Sequence, residues 1–171
     1  AQEYLTILKL NMSKQIKMVP VIVETPKGST HKYDYDPSLQ RFKLSKLLPA
    51  GLSFPFDFGF IPDTKGEDGD PLDVIIISEI TAIQGSVVDC RIIGAIRAEQ
   101  TERDGSVMEN DRFLGVPEVS QLFSNVKTIN DLPGEIIGQL ENFFRNYNEQ
   151  AGKKFSVKGR LSAAQAARLL K

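Results

Sequence analysis

Apolar positions divide this chain into two parts with different periods. Before residue 117 the apolar stretches are short, rich in β-branched residues and bounded by glycine, proline or charged turns, which predicts strands. Val19-Pro20-Val21-Ile22-Val23-Glu24 is the first, ended by Pro26, Lys27 and Gly28. His31 to Tyr35 alternates and is expected to pair with it, and Phe42 to Leu44 forms a third short strand. Pro49-Ala50-Gly51 turns the chain into the aromatic run Phe54–Pro62, read mainly as core. Leu72 to Ile77 and Val87 to Ile96 are expected strands, the second opened by Gly85-Ser86. Residues 97–112 are polar and charged and predict a long loop or hairpin excursion, followed by a closing strand from Phe113 to Val116. After residue 131 the period lengthens. Leu132, Ile136, Leu140, Phe143, Phe144 and Tyr147 recur at helical spacing, with Asp131 and Pro133 suited to the start. A second helix is expected from Ser162, its cap, through Leu170. Residues 5–10 are apolar but too short to assign. Strands followed by helices predict an α+β fold: a small antiparallel β-barrel with two C-terminal helices packed on it, in a single domain spanning 1–171.

The densest chemistry lies just before the Leu72 strand, where Asp68-Gly69-Asp70-Pro71-Leu72-Asp73 sets three carboxylates within six residues. In an extended segment side chains alternate, so Asp68 and Asp70 are expected to point the same way. Pro71 fixes its own φ and favours a bend that brings Asp73 round to join them. Three anions at the mouth of a buried strand repel one another, and a hard divalent cation such as Mg²⁺ relieves that repulsion. A plain D-x-D turn is more often a solvated loop. An EF-hand is excluded, since the glycine is misplaced, Pro71 interrupts the loop and no glutamate closes it. A D-x-D-x-T phosphatase motif fails because Leu72 stands in place of the threonine.

Composition narrows the chemistry further. The chain has one cysteine, Cys90, in an apolar run that predicts a buried structural thiol, and one histidine, His31, best placed at a surface or strand edge. Ser-His-Asp, Cys-His and zinc-hydrolase schemes are therefore excluded, leaving carboxylates, amines and phenols. At 171 residues, 41% hydrophobic and 25% charged, the chain suits one soluble domain burying roughly 70% of its unfolded surface. A net charge of −1 and the lack of a basic run give no sign of a nucleic-acid partner. No apolar segment approaches the roughly twenty residues of a membrane span. Ala1-Gln2-Glu3-Tyr4 has neither the basic nor the apolar region of a signal peptide, so the cytoplasm is the expected location.

The wider pattern Asp-Gly-Asp-Pro-hydrophobic-Asp-hydrophobic is more restrictive than D-x-D. It resembles the signature of the soluble family I inorganic pyrophosphatases. The resemblance runs from about Val19 to the end and is strongest over Glu24–Asp73. It implies an OB-like barrel, a homo-oligomer, two or more Mg²⁺ ions, and pyrophosphate and phosphate as ligands. Asp68, Asp70 and Asp73 match the three signature aspartates; the first and third would bind metal, and Asp70 would activate the attacking water and touch metal itself. Val21 to Pro26 resembles the family's V-x-E-I-P strand and gives Glu24 a catalytic role near the metals. His31-Lys32-Tyr33-Asp34 resembles its K-Y-E/K segment, which makes Lys32 a phosphate ligand and Asp34 a metal ligand reaching through water. Asn110-Asp111-Arg112 resembles the acidic segment that adds metal ligands, matching Asp111 to the family's aspartate and placing Arg112 where a lysine is usual. Phe143-Phe144-x-x-Tyr147 resembles the family's helix motif and makes Tyr147 a phosphate donor. Lys46 and Lys154 complete the cations available to phosphate oxygens, although an isolated lysine is usually a solvated surface charge.

Departures from the family pattern fall on the phosphate side. Lys46 stands for an arginine and gives up the bidentate fork. Phe58 stands for a tyrosine and lacks its hydroxyl, and Asn148 stands for a lysine and lacks its charge. No adjacent acid pair is evident in 97–112, where Glu99, Glu102, Asp104 and Glu109 are the candidates. Three readings follow: an Mg²⁺-dependent inorganic diphosphatase, weakened by these losses; a repurposed or very slow paralogue acting on another phosphoanhydride or phosphonate; and a non-catalytic metal- or phosphate-binding module. The first is preferred over the other two together; the Asp trio argues against the third, because three clustered acids without a task are costly to keep folded, and it leaves the second open.

Overall fold

A computed structural model describes residues 17–170; the apolar run at 5–10 lies outside them. Five strands close into a ring. β1 (Met18–Thr25) pairs with β4 (Asp57–Ile61), β4 with β5 (Leu72–Ile76), β5 with β8 (Arg112–Pro117) and β8 with β6 (Val87–Thr101). The near half of β6 returns to β1, from Val87↔Ile22 to Arg91↔Met18. β6 is 15 residues long, and its far half pairs with β7 (Val107–Glu109) and β9 (Lys154–Ser162). At Gly94 the strand passes from one partner to the next. A Cβ there would stand 2.5 Å from both Ile129 Cδ1 and the Leu161 carbonyl oxygen, and φ is +151°, so only glycine fits.

Two expectations about pairing are corrected. The barrel is not purely antiparallel, because β5 and β8 run parallel, with Val74 opposite Phe113. Between them the chain makes the long β6–β7 excursion and re-enters the ring in the same direction, as a parallel pair requires. The His31–Asp36 strand, β2, does not pair with β1. It forms a separate two-stranded ribbon with β3 (Arg41–Leu47), since both edges of β1 are already taken by β4 and β6.

Both faces of the central strands are covered, which explains their unbroken apolar runs. Ile75, Ile77, Ile93 and Leu114 pack in one cluster with the first helix, α1 (Gly134–Gln150), through Ile137, Leu140, Phe143 and Phe144. Val74, Ile76, Cys90 and Phe113 belong to a second cluster that includes Ala166 of the second helix, α2 (Ala163–Leu169). The aromatic run contributes Phe54 and Phe58 to the first cluster, with Phe54 5.3 Å from Phe143 and Phe58 6.1 Å from Phe144 between ring centres. A 3-10 turn at Ile129–Asp131 precedes α1, and the Asp131 carboxylate accepts from the Lys127 and Thr128 amides, both at 2.9 Å. Ser162 and Gln165 form a capping box at α2. Among the described residues no helix is long and apolar enough to cross a membrane.

Candidate active site

The mouth of the barrel opens into a cavity of about 500 Å³. Each wall has its own source. The ring supplies Glu24 from β1, Phe58 and Phe60 from β4, Asp73 from β5 and Arg112 from β8. The β2–β3 ribbon supplies Lys32, Asp34 and Lys46, and α1 supplies Phe144, Tyr147 and Asn148.

Asp68 and Asp70 come from a turn, not from the extended segment expected of them. Gly66 N–H donates to the Asp70 carbonyl at 2.7 Å, and Gly69 N–H to the Gly66 carbonyl at 3.1 Å. Gly69 has φ +87°, which glycine adopts without strain. Asp68 Oδ1 accepts from Asp70 N–H at 3.0 Å. Folding the segment over itself brings Asp68, Asp70 and Asp73 to one cavity by a tighter route than alternation.

Part of the charge inside the cavity is paired locally. Arg112 Nη1 donates to Asp73 Oδ2 at 2.7 Å and also contacts Asn110 Oδ1. The guanidinium is buried, with its carbon 5.1 Å from the Phe144 ring centre and 5.7 Å from that of Phe58, close enough for cation–π attraction. Lys32 donates to Asp34. Lys46 Nζ lies 4.5 Å over the Tyr147 ring.

Burial pushes Glu24 up to about 7, even though it accepts from Tyr35 N–H at 2.7 Å and faces Lys32. Burial, reinforced by Asp68, raises Asp70 above the ordinary carboxylate range. Burial also raises Asp73, against the pull of Arg112. Asp34 moves the other way: burial opposes it, but Lys32 and hydrogen bonds hold it below its usual value. Burial pulls Lys32 down, and the negative groups around it more than restore it, to above its usual value. Lys46 is lowered, by burial first and then by Lys32 and Lys153. Tyr147 is pushed up to about 12, chiefly by burial, and its buried hydroxyl has no hydrogen-bond partner among the described residues.

This donor set fits a hard cation and an oxyanion. All five acids offer oxygen, the donor that Mg²⁺ prefers. Among the described residues no three acidic, histidine or cysteine side chains converge tightly enough to cage an ion alone, so water would complete the coordination, as Mg²⁺ usually requires. The orphaned Tyr147 hydroxyl and the lysines suit the oxygens of a phosphate.

Nine of the eleven residues singled out from the sequence line this cavity: Glu24, Lys32, Asp34, Lys46, Asp68, Asp70, Asp73, Arg112 and Tyr147. Two do not. Asp111 turns away; its Oδ1 accepts from Ala98 N–H at 3.0 Å, its Oδ2 lies 3.5 Å from Arg97 Nε, and it lines a smaller neighbouring cavity of about 160 Å³. Lys154 is exposed at the start of β9, and Lys153 faces the cavity in its place, 2.7 Å from Glu102. The candidate acids of the excursion also point elsewhere. Glu99 pairs with Lys158 at 2.9 Å, Glu102 with Lys153, Asp104 binds Ser106, and Glu109 faces the smaller cavity.

The excursion delivers Gln100 and Asn110 to the cavity, both missed from sequence. Asn110 Nδ2 donates to Gln100 Oε1 at 2.8 Å. The signal was available: along extended backbone, residues 110 and 112 share a face and 111 points away. Placing Arg112 in the site therefore selects Asn110 and excludes Asp111.

A barrel mouth that gathers clustered acids, several cations and an unsatisfied phenol has the groups that hydrolysis of a phosphorylated ligand calls for. Comparison with known proteins makes this specific. The family model described as inorganic pyrophosphatase matches residues 21–171. The inorganic pyrophosphatase of Sulfolobus acidocaldarius is 37% identical over 163 residues, covering 93% of this chain and 91% of that protein. That of Thermus thermophilus is 36% identical over 141 residues, covering 82% and 78%. Among solved structures, the Helicobacter pylori inorganic pyrophosphatase superposes with a TM-score of 0.83 at 27% identity, covering 91% of each chain. The Thermus thermophilus structure gives 0.79 at 33% identity, covering 92% of this chain and 88% of that one. The chain belongs to the inorganic pyrophosphatase family.

Proposed function

We propose that this cavity hydrolyses inorganic pyrophosphate to two phosphates in a reaction that depends on Mg²⁺. The observation that supports it most directly is the meeting of the Asp68–Asp73 turn with Lys32, Lys46, Arg112 and the orphaned Tyr147 hydroxyl in one cavity. Asp68, Asp73 and Asp70, with Glu24 and Asp34 on the ribbon side, are the groups that would hold Mg²⁺, and their five carboxylates carry charge enough for two ions. Bound there, Mg²⁺ would neutralise pyrophosphate charge and acidify a coordinated water.

The protein's own groups divide the remaining work. Asp70 accepts the proton of the attacking water; its raised affinity for protons suits a base. Lys32, Lys46 and Lys153 hold phosphate oxygens as point charges, and Arg112 presents a planar donor. Tyr147 donates its hydroxyl to a phosphate oxygen. Phe58, Phe60 and Phe144 line the cavity, lower its polarity and strengthen these charges. The reading extends to a homo-oligomer working in the cytoplasm.

The two other readings weighed from the sequence find less support, because relatives at 31–37% identity carry the name inorganic pyrophosphatase. The test is phosphate release from pyrophosphate and from nucleoside triphosphates, with Mg²⁺ and then with EDTA. Release from pyrophosphate that EDTA abolishes is expected. Hydrolysis of nucleotides in preference to pyrophosphate, or release indifferent to EDTA, would overturn the reading.

A further inference from the structure

Arg112 occupies an unusual position for an arginine. It is buried to 6% exposure, inserted into a ring of acids and clasped by aromatic faces. One of its nitrogens serves two acceptors, Asp73 Oδ2 at 2.7 Å and Asn110 Oδ1. A guanidinium only donates, so it forces Asn110 to turn its oxygen inward towards Arg112. The Asn110 nitrogen is then left facing Gln100, whose oxygen must turn to meet it, and does so at 2.8 Å. The orientation set by Arg112 thus passes along the wall. Both amide oxygens on that wall, the only atoms of these two side chains able to bind a cation, are already engaged by donors. Two acids flank the wall, and both are engaged: Glu102 accepts from Gln100 Nε2 and pairs with Lys153 at 2.7 Å, and Asp111 is held outside by Ala98 N–H and Arg97.

We propose that Arg112 is a built-in cation of the acid ring, and that the Gln100–Asn110 wall beside it binds no divalent ion. The inference rests on the metal-dependent reading above and adds to it a limit on how many ions the site loads. Asp73 already has its counter-charge, and Asp34 has Lys32, which leaves Asp68, Asp70 and Glu24 as the acids of the cavity without a salt-bridge partner among the described residues. The chain therefore draws part of its positive charge from a fixed side chain where added ions would otherwise enter. A fixed cation is always present and cannot be removed by a chelator, but it cannot acidify a water.

Mn²⁺ titration calorimetry without substrate tests the proposal, with thermal melts as a check on folding. Gln100→Glu with Asn110→Asp keeps the shape of both side chains and adds two charges to the wall. This double variant is expected to take up about one more Mn²⁺ per chain than the parent. Arg112→Gln is expected to bind Mn²⁺ about tenfold tighter, because Asp73 is released and a repelling charge removed. Should that buried substitution unfold the chain, the double variant still decides the matter. Equal uptake by parent and double variant overturns the proposal and leaves the hydrolysis reading standing. A parent that binds no Mn²⁺ while the double variant does supports the proposal and removes the metal-dependent reading. No uptake by either overturns both.

Discussion

The two flanks of the cavity answer the same electrostatic demand in opposite ways. On the turn side, Asp68 and Asp70 have no salt-bridge partner among the described residues, and Asp70 is held above its usual range by burial and by its neighbour. On the excursion side, Arg112 Nη1 donates to Asp73 and to Asn110, and Asn110 donates in turn to Gln100. The first flank is incomplete until a cation arrives; the second already carries its own cation, although the buried Arg112 Nε has no hydrogen-bond partner among the described residues. A binding site thus appears where groups are left mutually unsatisfied, and charge alone does not make one.

The largest expected effect strikes the unsatisfied flank. Asp70→Asn keeps the shape but cannot accept a proton, so turnover of pyrophosphate should fall by about 10²–10⁴-fold with the melting temperature little changed. Steady-state phosphate release checks it, and near-parental turnover at unchanged metal content would remove Asp70 as the base. A stability test follows on the excursion flank. Arg112→Met leaves Asp73 without its partner and should destabilise the chain by about 3–5 kcal/mol in EDTA. If Arg112 stands in for a cation, Mg²⁺ should recover part of that loss, so melts of this variant with and without Mg²⁺ sharpen the contrast. Identical melting in both conditions would break it.

The smallest effect concerns Glu24. Its affinity for protons is raised by folding, to about 7 from an ordinary 4.5, so the folded state holds the proton more tightly than the unfolded one. The stability it contributes is therefore present at pH below 4.5 and is lost as pH rises towards 7. One proton limits the slope to about 1.4 kcal/mol per pH unit. In EDTA, Glu24→Gln should flatten the denaturation profile across that window, and an unchanged slope would show that another group governs it.

Local pattern carried much of this molecule. The helical spacing of Leu140, Phe143 and Phe144 placed α1, and the β-branched run at Val74–Ile77 placed β5. What local pattern could not carry was partnership. Nothing in the residues 31–35 says that both edges of β1 are occupied, so sequence order alone points β2 to the wrong neighbour. β9 is not legible in the local pattern, because its alternation is thin, with only Phe155 of its residues buried, and because it lies against the distant half of β6. In the site, the motif residues were legible because several lie within a few positions of one another. Gln100 and Lys153 were not, since each reaches the cavity only through pairing or turn geometry that brings remote segments together. Asp111 misleads for a different reason: its chemical type suggests a metal ligand, while parity along an extended backbone turns it away from the face that Asn110 and Arg112 share.

The ribbon of β2 and β3 stands outside the closed ring, tied to β1 through Glu24 to the Tyr35 amide and Thr25 to Tyr33. It carries Lys32, Asp34 and Lys46. The acids of the turn, by contrast, are set at the root of a ring strand packed on both faces. Drift in sequence therefore meets unequal resistance across the cavity. A lineage can exchange an arginine for Lys46, or a glutamate for Asp34, on a surface hairpin without disturbing the barrel. Moving Asp73 means disturbing a strand on which the whole ring closes. Related chains should accordingly differ first in how they grip a ligand, and last in how they present their acids.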